Sequence, residues 1–225
     1  MTEDATDTAQ MPGEVGEVKR RLLAMGSMVE SLMAASLLAL LDGDAAAVPE
    51  LREEDCRTHE QWLEVDKLCT ELLTSGKQDA EQVRFLAAAT KIAGAFKRVG
   101  DEALRIAEAM RACEPGCLST AKASASVPRL AELAQGMLND AIESLIQGDP
   151  ERVGGLHEAS RTLTASHASA VRALFQGVSD GEVGVAPAAA LTGVAQRLER
   201  IGSDALDAAT HVRHFYLRNH KADAG

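Results

Sequence analysis

Apolar residues recur along this chain at alternating steps of four and three. Val18, Leu22, Met25, Val29 and Leu32 form one such stripe, and Ala39 continues it past the small polar Ser36. That period lays one face of a helix against a core, and the helix is expected to stop near Gly43. A second helix is expected over about 46–74, closed by Ser75-Gly76. The third opens near Asp79 and carries Phe85, Ile92, Phe96, Val99, Ala103, Ile106 and Met110, the strongest periodic signal of the first half. Helices over about 128–147, 150–176 and 187–219 follow, with Gly177 to Pro187 as the last loop. In the sixth, Val194, Leu198, Ile201, Ala205, Ala208, Val212 and Phe215 keep the alternation without a break.

The second half repeats landmarks of the first. Lys97-Arg98-Val99-Gly100-Asp101 is answered by Glu199-Arg200-Ile201-Gly202-Ser203 at an offset of 102, and Leu41-Asp42-Gly43-Asp44 by Ile146-Gln147-Gly148-Asp149 at an offset of 105. Two landmarks in one order at nearly one spacing mark a duplicated unit. The expected fold is all-α: two tandem three-helix up-down bundles. The expected layout is a disordered tail over 1–13, a first bundle over 14–112, a linker over 113–127, a second bundle over 128–219 and a tail over 220–225.

Composition narrows the picture. Aromatics make up only 3% of residues, and a core of Ala, Leu, Val and Met suits close-packed helices better than sheets. The net charge of -11 and the lack of a Lys/Arg-rich run exclude the electrostatic footprint of a nucleic-acid binder. Thr2, Glu3, Asp4 and Asp7 are unlike the basic start of a signal peptide, and no long uninterrupted apolar run predicts membrane insertion. The expectation is a cytoplasmic protein whose Cys56, Cys69, Cys113 and Cys117 are reduced thiols. The Cys113/Cys117 spacing would hold a metal only with two further ligands.

Writing the third helix as heptads with Phe96 at a and Val99 at d places Lys97 at b, Arg98 at c, Gly100 at e and Asp101 at f. Leu198 at a and Ile201 at d give Glu199, Arg200, Gly202 and Ser203 the same phases. Both motifs are therefore expected to face away from the core seam, with Arg98 and Arg200 solvated. Each glycine costs about 1 kcal/mol of helix propensity relative to alanine, so a close neighbour or a ligand has to offset it.

With these residues in view, the chain resembles the PhoU family of phosphate-uptake regulators over roughly Glu14 to Arg218. The doubled motif, the Gly-Asp turns after helices one and four and the closing Phe215-Tyr216 carry the resemblance. In that family each third helix bears a Glu-Arg-Ile-Gly-Asp type motif whose acids help hold metal ions. Here the first motif has Lys97 where the family has Glu, and the second has Ser203 where it has Asp. What remains for a divalent or iron-type ion is Asp55, His59 and Asp101 in the first bundle and Glu199 in the second, with Asp66 a further acid on the second helix. Ser160 and Thr164 hold the matching places on the fifth, and Asp204 and Asp207 add little on the same face as Glu199. Hard cations need several oxygen ligands, whereas Lys97 and Asp101 form an opposite-charge pair one turn apart.

Other residues point to structure. His211 and His214, followed by His220, are expected to complement the C-terminal dipole of the last helix. Trp62 is expected to anchor a helix contact, and His157 and His167 suggest no function. No constellation for catalysis is visible. The resemblance implies a non-enzymatic regulator that docks to a phosphate transporter component and a sensor histidine kinase, restrains uptake or signalling when phosphate is plentiful, and forms a homodimer. The alternatives are an accessory protein of a phosphate symporter, or a metal-binding bundle with an enzymatic or storage role.

Overall fold

The computed structural model describes residues 13–109, 126–148 and 152–222. Among the described residues there are six long helices and no strand: α1 (Glu14–Asp42), α2 (Val48–Ser75), α3 (Ala80–Ala109), α4 (Ser126–Gln147), α5 (Arg152–Ser179) and α6 (Val185–Ala222). The all-α expectation and the three-plus-three arrangement are borne out. The tail over 1–12, most of the linker, Cys113, Cys117, Met110, Asp149 and the last three residues lie outside the described residues.

The stripes that predicted the helices are the faces that bury. Val18, Leu22, Met25, Val29 and Leu32 of α1 are fully buried, as are Val194, Leu198, Ile201 and Ala205 of α6. Ser36 is fully buried as well, and its hydroxyl has no partner among the described residues. By length and composition α1 is the one described helix apolar enough to cross a bilayer, but half of its most apolar window is buried inside the bundles. Core packing accounts for that apolarity.

Helix ends follow local chemistry. Gly43 closes α1 at φ 73, a left-handed conformation that glycine adopts without steric cost. A short 3-10 turn over Ala45–Ala47, capped by the Asp44 carboxylate accepting from the Ala46 N–H at 3.0 Å, delays α2 to Val48. The last loop is shorter than expected. α5 continues through Gly177 to Ser179, because the Gly177 carbonyl accepts from the N–H groups of Glu182 and Val183 and Val183 packs where a Cβ would stand. Pro187 lies in the first turn of α6, where a missing N–H costs nothing.

The two bundles share one continuous hydrophobic core. α3 packs along α6 and α1 touches α4. At the second contact Gly26 lets α1 approach closely, since a Cβ there would come within 3.2 Å of Ile142. The two motif helices thus lie back to back at the centre of the molecule.

Candidate functional site

In the first motif Lys97 and Asp101 stand one turn apart on α3, and the Lys97 Nζ donates to Asp101 Oδ2 at 2.5 Å. α2 runs alongside and fills the space between them. A Cβ at Gly100 would meet Asp55 Oδ1 at 3.3 Å and Thr58 Cγ2 at 3.5 Å. Close approach of α2 therefore offsets the glycine's helix cost. Thr58 is fixed by donating its hydroxyl to the Glu54 carbonyl at 3.0 Å. Burial pushes the Asp55 carboxyl up, Asp101 pushes it further, and Lys97 and His59 pull it back. Lys97 pairs directly with Asp101 and acts on Asp55 through its charge.

The second motif has different partners. A Cβ at Gly202 would stand 2.2 Å from Leu163 Cδ2 and 3.1 Å from Met137 Sδ, so α5 and α4 pack closely on this glycine and a larger residue would have to displace those side chains. Glu199 Oε2 lies 3.0 Å from His167 Nδ1. The His167 Nε2 is buried with no partner among the described residues. His167 is a site residue that helical geometry alone had discounted. The repeat contained the signal, since at the offset of 105 it occupies the place of Trp62, whose ring packs 5.2 Å from His59. Ser203 and Thr164 are exposed and Ser160 is half-buried.

The expectation that both motifs face away from the core needs correction. Gly100 and Gly202 are buried and Lys97 and Asp101 are half-buried. The heptad phases describe only the seam, whereas α2 and α5 cover its flank. Arg98 and Arg200 are not simply solvated either. Arg98 donates to Asp204 at 2.6 Å and to Asp207 at 2.9 Å across the bundle boundary. Arg200 reaches back to Glu102 at 3.3 Å. At the offset of 102 these are one interaction made twice, because Arg98 corresponds to Arg200 and Glu102 to Asp204. The sequence showed the two arginines on an outer face of each bundle but not that the bundles place those faces together.

Glu102 is the hub of this seam. Its side chain is 8% exposed and also accepts from Arg105 at 2.8 Å and Arg197 at 3.1 Å. Burial raises the Asp204 carboxyl above its ordinary range, and the Arg98 guanidinium counters this only in part. Between the helices opens a cleft of roughly 400 Å³ lined by Arg98, Asp101, Glu102, Arg105, Arg200, Ser203 and Asp204. Its acids and bases pair with one another.

The donor set does not fit the metal that the resemblance implies. Among the described residues no three His, Cys, Asp or Glu side chains gather with metal-holding geometry. Asp55 and Asp101 act on each other, but Asp101 is already paired with the ammonium of Lys97, whose charge also acts on Asp55 and opposes a second cation there. His59 is exposed and turned onto Trp62. Glu199 is on the other bundle, against His167. Trp62 packs on the core edge, as a helix anchor should. His211 and His214 lie well inside α6 rather than in its last turn, because the helix continues to Ala222. Their place is beside α3, where they line a second cavity.

Comparison with known proteins follows the same outline. The PhoU domain profile matches residues 22–110 and again 127–212. The phosphate-specific transport system accessory protein PhoU homolog of Pseudomonas putida is 25% identical over 224 residues, covering 95% of this chain and 87% of its own length. A homolog of the same name from Rhizobium meliloti is 24% identical over 88% of this chain and 84% of its own. Among solved structures, PhoU from Pseudomonas aeruginosa superposes with a TM-score of 0.82 at 22% identity, over 93% of this chain and all of that one. The phosphate transport system regulatory protein PhoU from Streptococcus pneumoniae gives 0.82 at 16% identity, over 90% and 94%.

Proposed function

The chain belongs to the PhoU family, and we propose that it is a regulatory accessory protein of phosphate transport that works by docking rather than by chemistry of its own. The observation that carries this reading is the paired family match across both bundles, in a chain whose motif carboxylates are engaged by Lys97, by His167 and by arginines of the opposite bundle. In this reading the protein acts in the cytoplasm as a homodimer. It binds a phosphate transporter component and a sensor histidine kinase, and restrains uptake and phosphate-responsive transcription when phosphate is plentiful. Docking needs a rigid surface and a few anchor side chains. The seam between the bundles supplies the rigidity, because Glu102 and Asp204 tie α3 to α6 from both sides.

The test is a deletion strain carrying a phosphate-responsive reporter, complemented with the wild-type chain and paired with affinity capture of the transporter's ATP-hydrolysing subunit and the kinase. Restored repression in high phosphate, with both partners captured, supports the reading. Repression without either partner refutes the docking mechanism. Capture of a phosphate symporter alone moves the protein to the symporter alternative.

A further inference from the structure

Between α3 and α6, away from the motif cleft, lies a cavity of roughly 200 Å³ lined by Arg84, Ala87, Ala88, Lys91, His211, His214 and Phe215. Every titratable side chain in that lining is basic. In a chain with a net charge of -11 this is a local reversal of sign. Among the described residues no carboxylate lies within ion-pair distance of Lys91 or His214. His211 Nε2 lies 3.4 Å from an Asp207 oxygen, and Asp207 is already held by Arg98 at 2.9 Å.

The cations are not a by-product of the duplication. At the offset of 102, the places of Arg84, Ala87, Ala88 and Lys91 are taken on α6 by Ala186, Ala189, Ala190 and Gly193. They belong to this end of the molecule alone. The floor is firm: Phe215 packs edge-on against Phe85 with ring centres 5.4 Å apart and against Tyr216 at 4.8 Å. The two histidine rings stand 6.5 Å apart at a steep angle.

Like charges held together cost free energy that an anion recovers. Burial lowers the His211 imidazole, Asp207 raises it, and Lys91, His214 and Arg98 lower it further. The volume is below the roughly 300 Å³ at which sites for drug-sized ligands begin. It suits a small inorganic anion better than a nucleotide.

We propose that this cavity binds an inorganic oxyanion of the phosphate class, held by Lys91 and Arg84 from α3 and by ring N–H groups of His211 and His214 from α6. The anion would bridge the first and second bundles in a cavity that shares no lining residue with the motif cleft, so the site stands or falls without the docking reading. Its occupancy rises as pH falls through the histidine range, since protonated rings add charge toward the anion.

The test is a titration of the full chain with sodium phosphate at constant ionic strength, following the imidazole resonances of His211 and His214 by NMR. The proposal expects a saturable shift of both ring resonances and an upward move of the His211 pKa when phosphate is present. Lys91→Ala, at an exposed position that leaves the fold intact by circular dichroism, should weaken binding about tenfold or more. Arg172→Ala, an exposed cation on α5, should leave it unchanged. Shifts that sodium chloride reproduces, or affinity retained in Lys91→Ala, overturn the site. Tighter binding of AMP than of phosphate overturns its assignment to a free inorganic anion.

Discussion

Removing the hub of the seam is the sharpest test of how the two bundles are held in register. Truncating one partner of a fully buried ion pair costs about 3–5 kcal/mol, because the other charge is left desolvated and unpaired. Glu102 is 8% exposed, but its partners are less enclosed: Arg197 is 30% exposed, Arg105 51% and Arg200 60%. The two outer arginines regain water when the carboxylate is lost, so their share shrinks toward that of a surface pair. Glu102→Ala should then cost about 2 kcal/mol, most of it through Arg197, and Glu102→Gln about half as much because an acceptor remains. Urea unfolding followed by far-ultraviolet circular dichroism measures the loss over all helices. Trp62, the only tryptophan, reports the first bundle alone. Coincident transitions in the wild type and separated ones in Glu102→Ala would show that the carboxylate couples the bundles. A loss below about 0.5 kcal/mol, within the range of ordinary surface changes, would refute the reasoning. So would a double-mutant cycle with Arg197→Ala that showed no coupling.

The two motif glycines should respond differently to alanine. Gly202→Ala drives a Cβ to 2.2 Å from Leu163, so overpacking of about 1–3 kcal/mol outweighs the helix gain and lowers the melting temperature. Gly100→Ala meets Asp55 only at 3.3 Å and should fall within about 1 kcal/mol of wild type. Lys97→Glu replaces this cation with a third carboxylate beside Asp55 and Asp101, so the variant should lose stability in chelator and regain it with a divalent ion retained in elemental mass spectrometry. If the wild type retains stoichiometric metal and loses it in Asp101→Ala, the misfit argued for the first motif is wrong. For pH, the Asp55 carboxyl is raised in the folded state from an ordinary value of 3.8. Its protonated form is thus favoured by folding, and that stabilisation is present below the ordinary value and lost as pH rises through the folded one. Asp55→Asn should therefore be more stable than wild type at neutral pH, with the advantage fading in acid; an unchanged difference across that range would contradict the assignment.

Much of the architecture was legible because it rests on period and on punctuation. The four-three stripes of α1, α3 and α6 named core residues directly, and Gly43 and Gly76 marked helix ends through chemistry that needs no tertiary context. At the last loop the structure departs from expectation through the way the chain folds back on itself just after the helix. Gly177 reads as the start of the last loop until Val183 folds back over it, and the sixth helix begins at Val185, two residues ahead of the Pro187 where the sequence alone would open it. The site was legible in its residues but not in its partners. The glycines had to have a close neighbour, yet nothing local said that it is Asp55 and Thr58 in one case and Leu163 in the other. The roles of Arg98, Arg200 and Glu102 depend on how one bundle meets the other, and no period within a single helix encodes that. His167 was reachable only by carrying the repeat offset through to the fifth helix.

The reciprocal pairing of Arg98 with Asp204 and Arg200 with Glu102 has the form of an isologous dimer interface, drawn inside one polypeptide. Two identical subunits related by such an axis must accept every mutation on both sides at once. Joined in tandem, the halves are released from that constraint while the axis between them persists. One half can then exchange an acid for Lys97 and the other can set His167 against Glu199, with the common joint unchanged. A reciprocal joint inside one chain thus carries two unlike faces on a common frame, each free to change without the other.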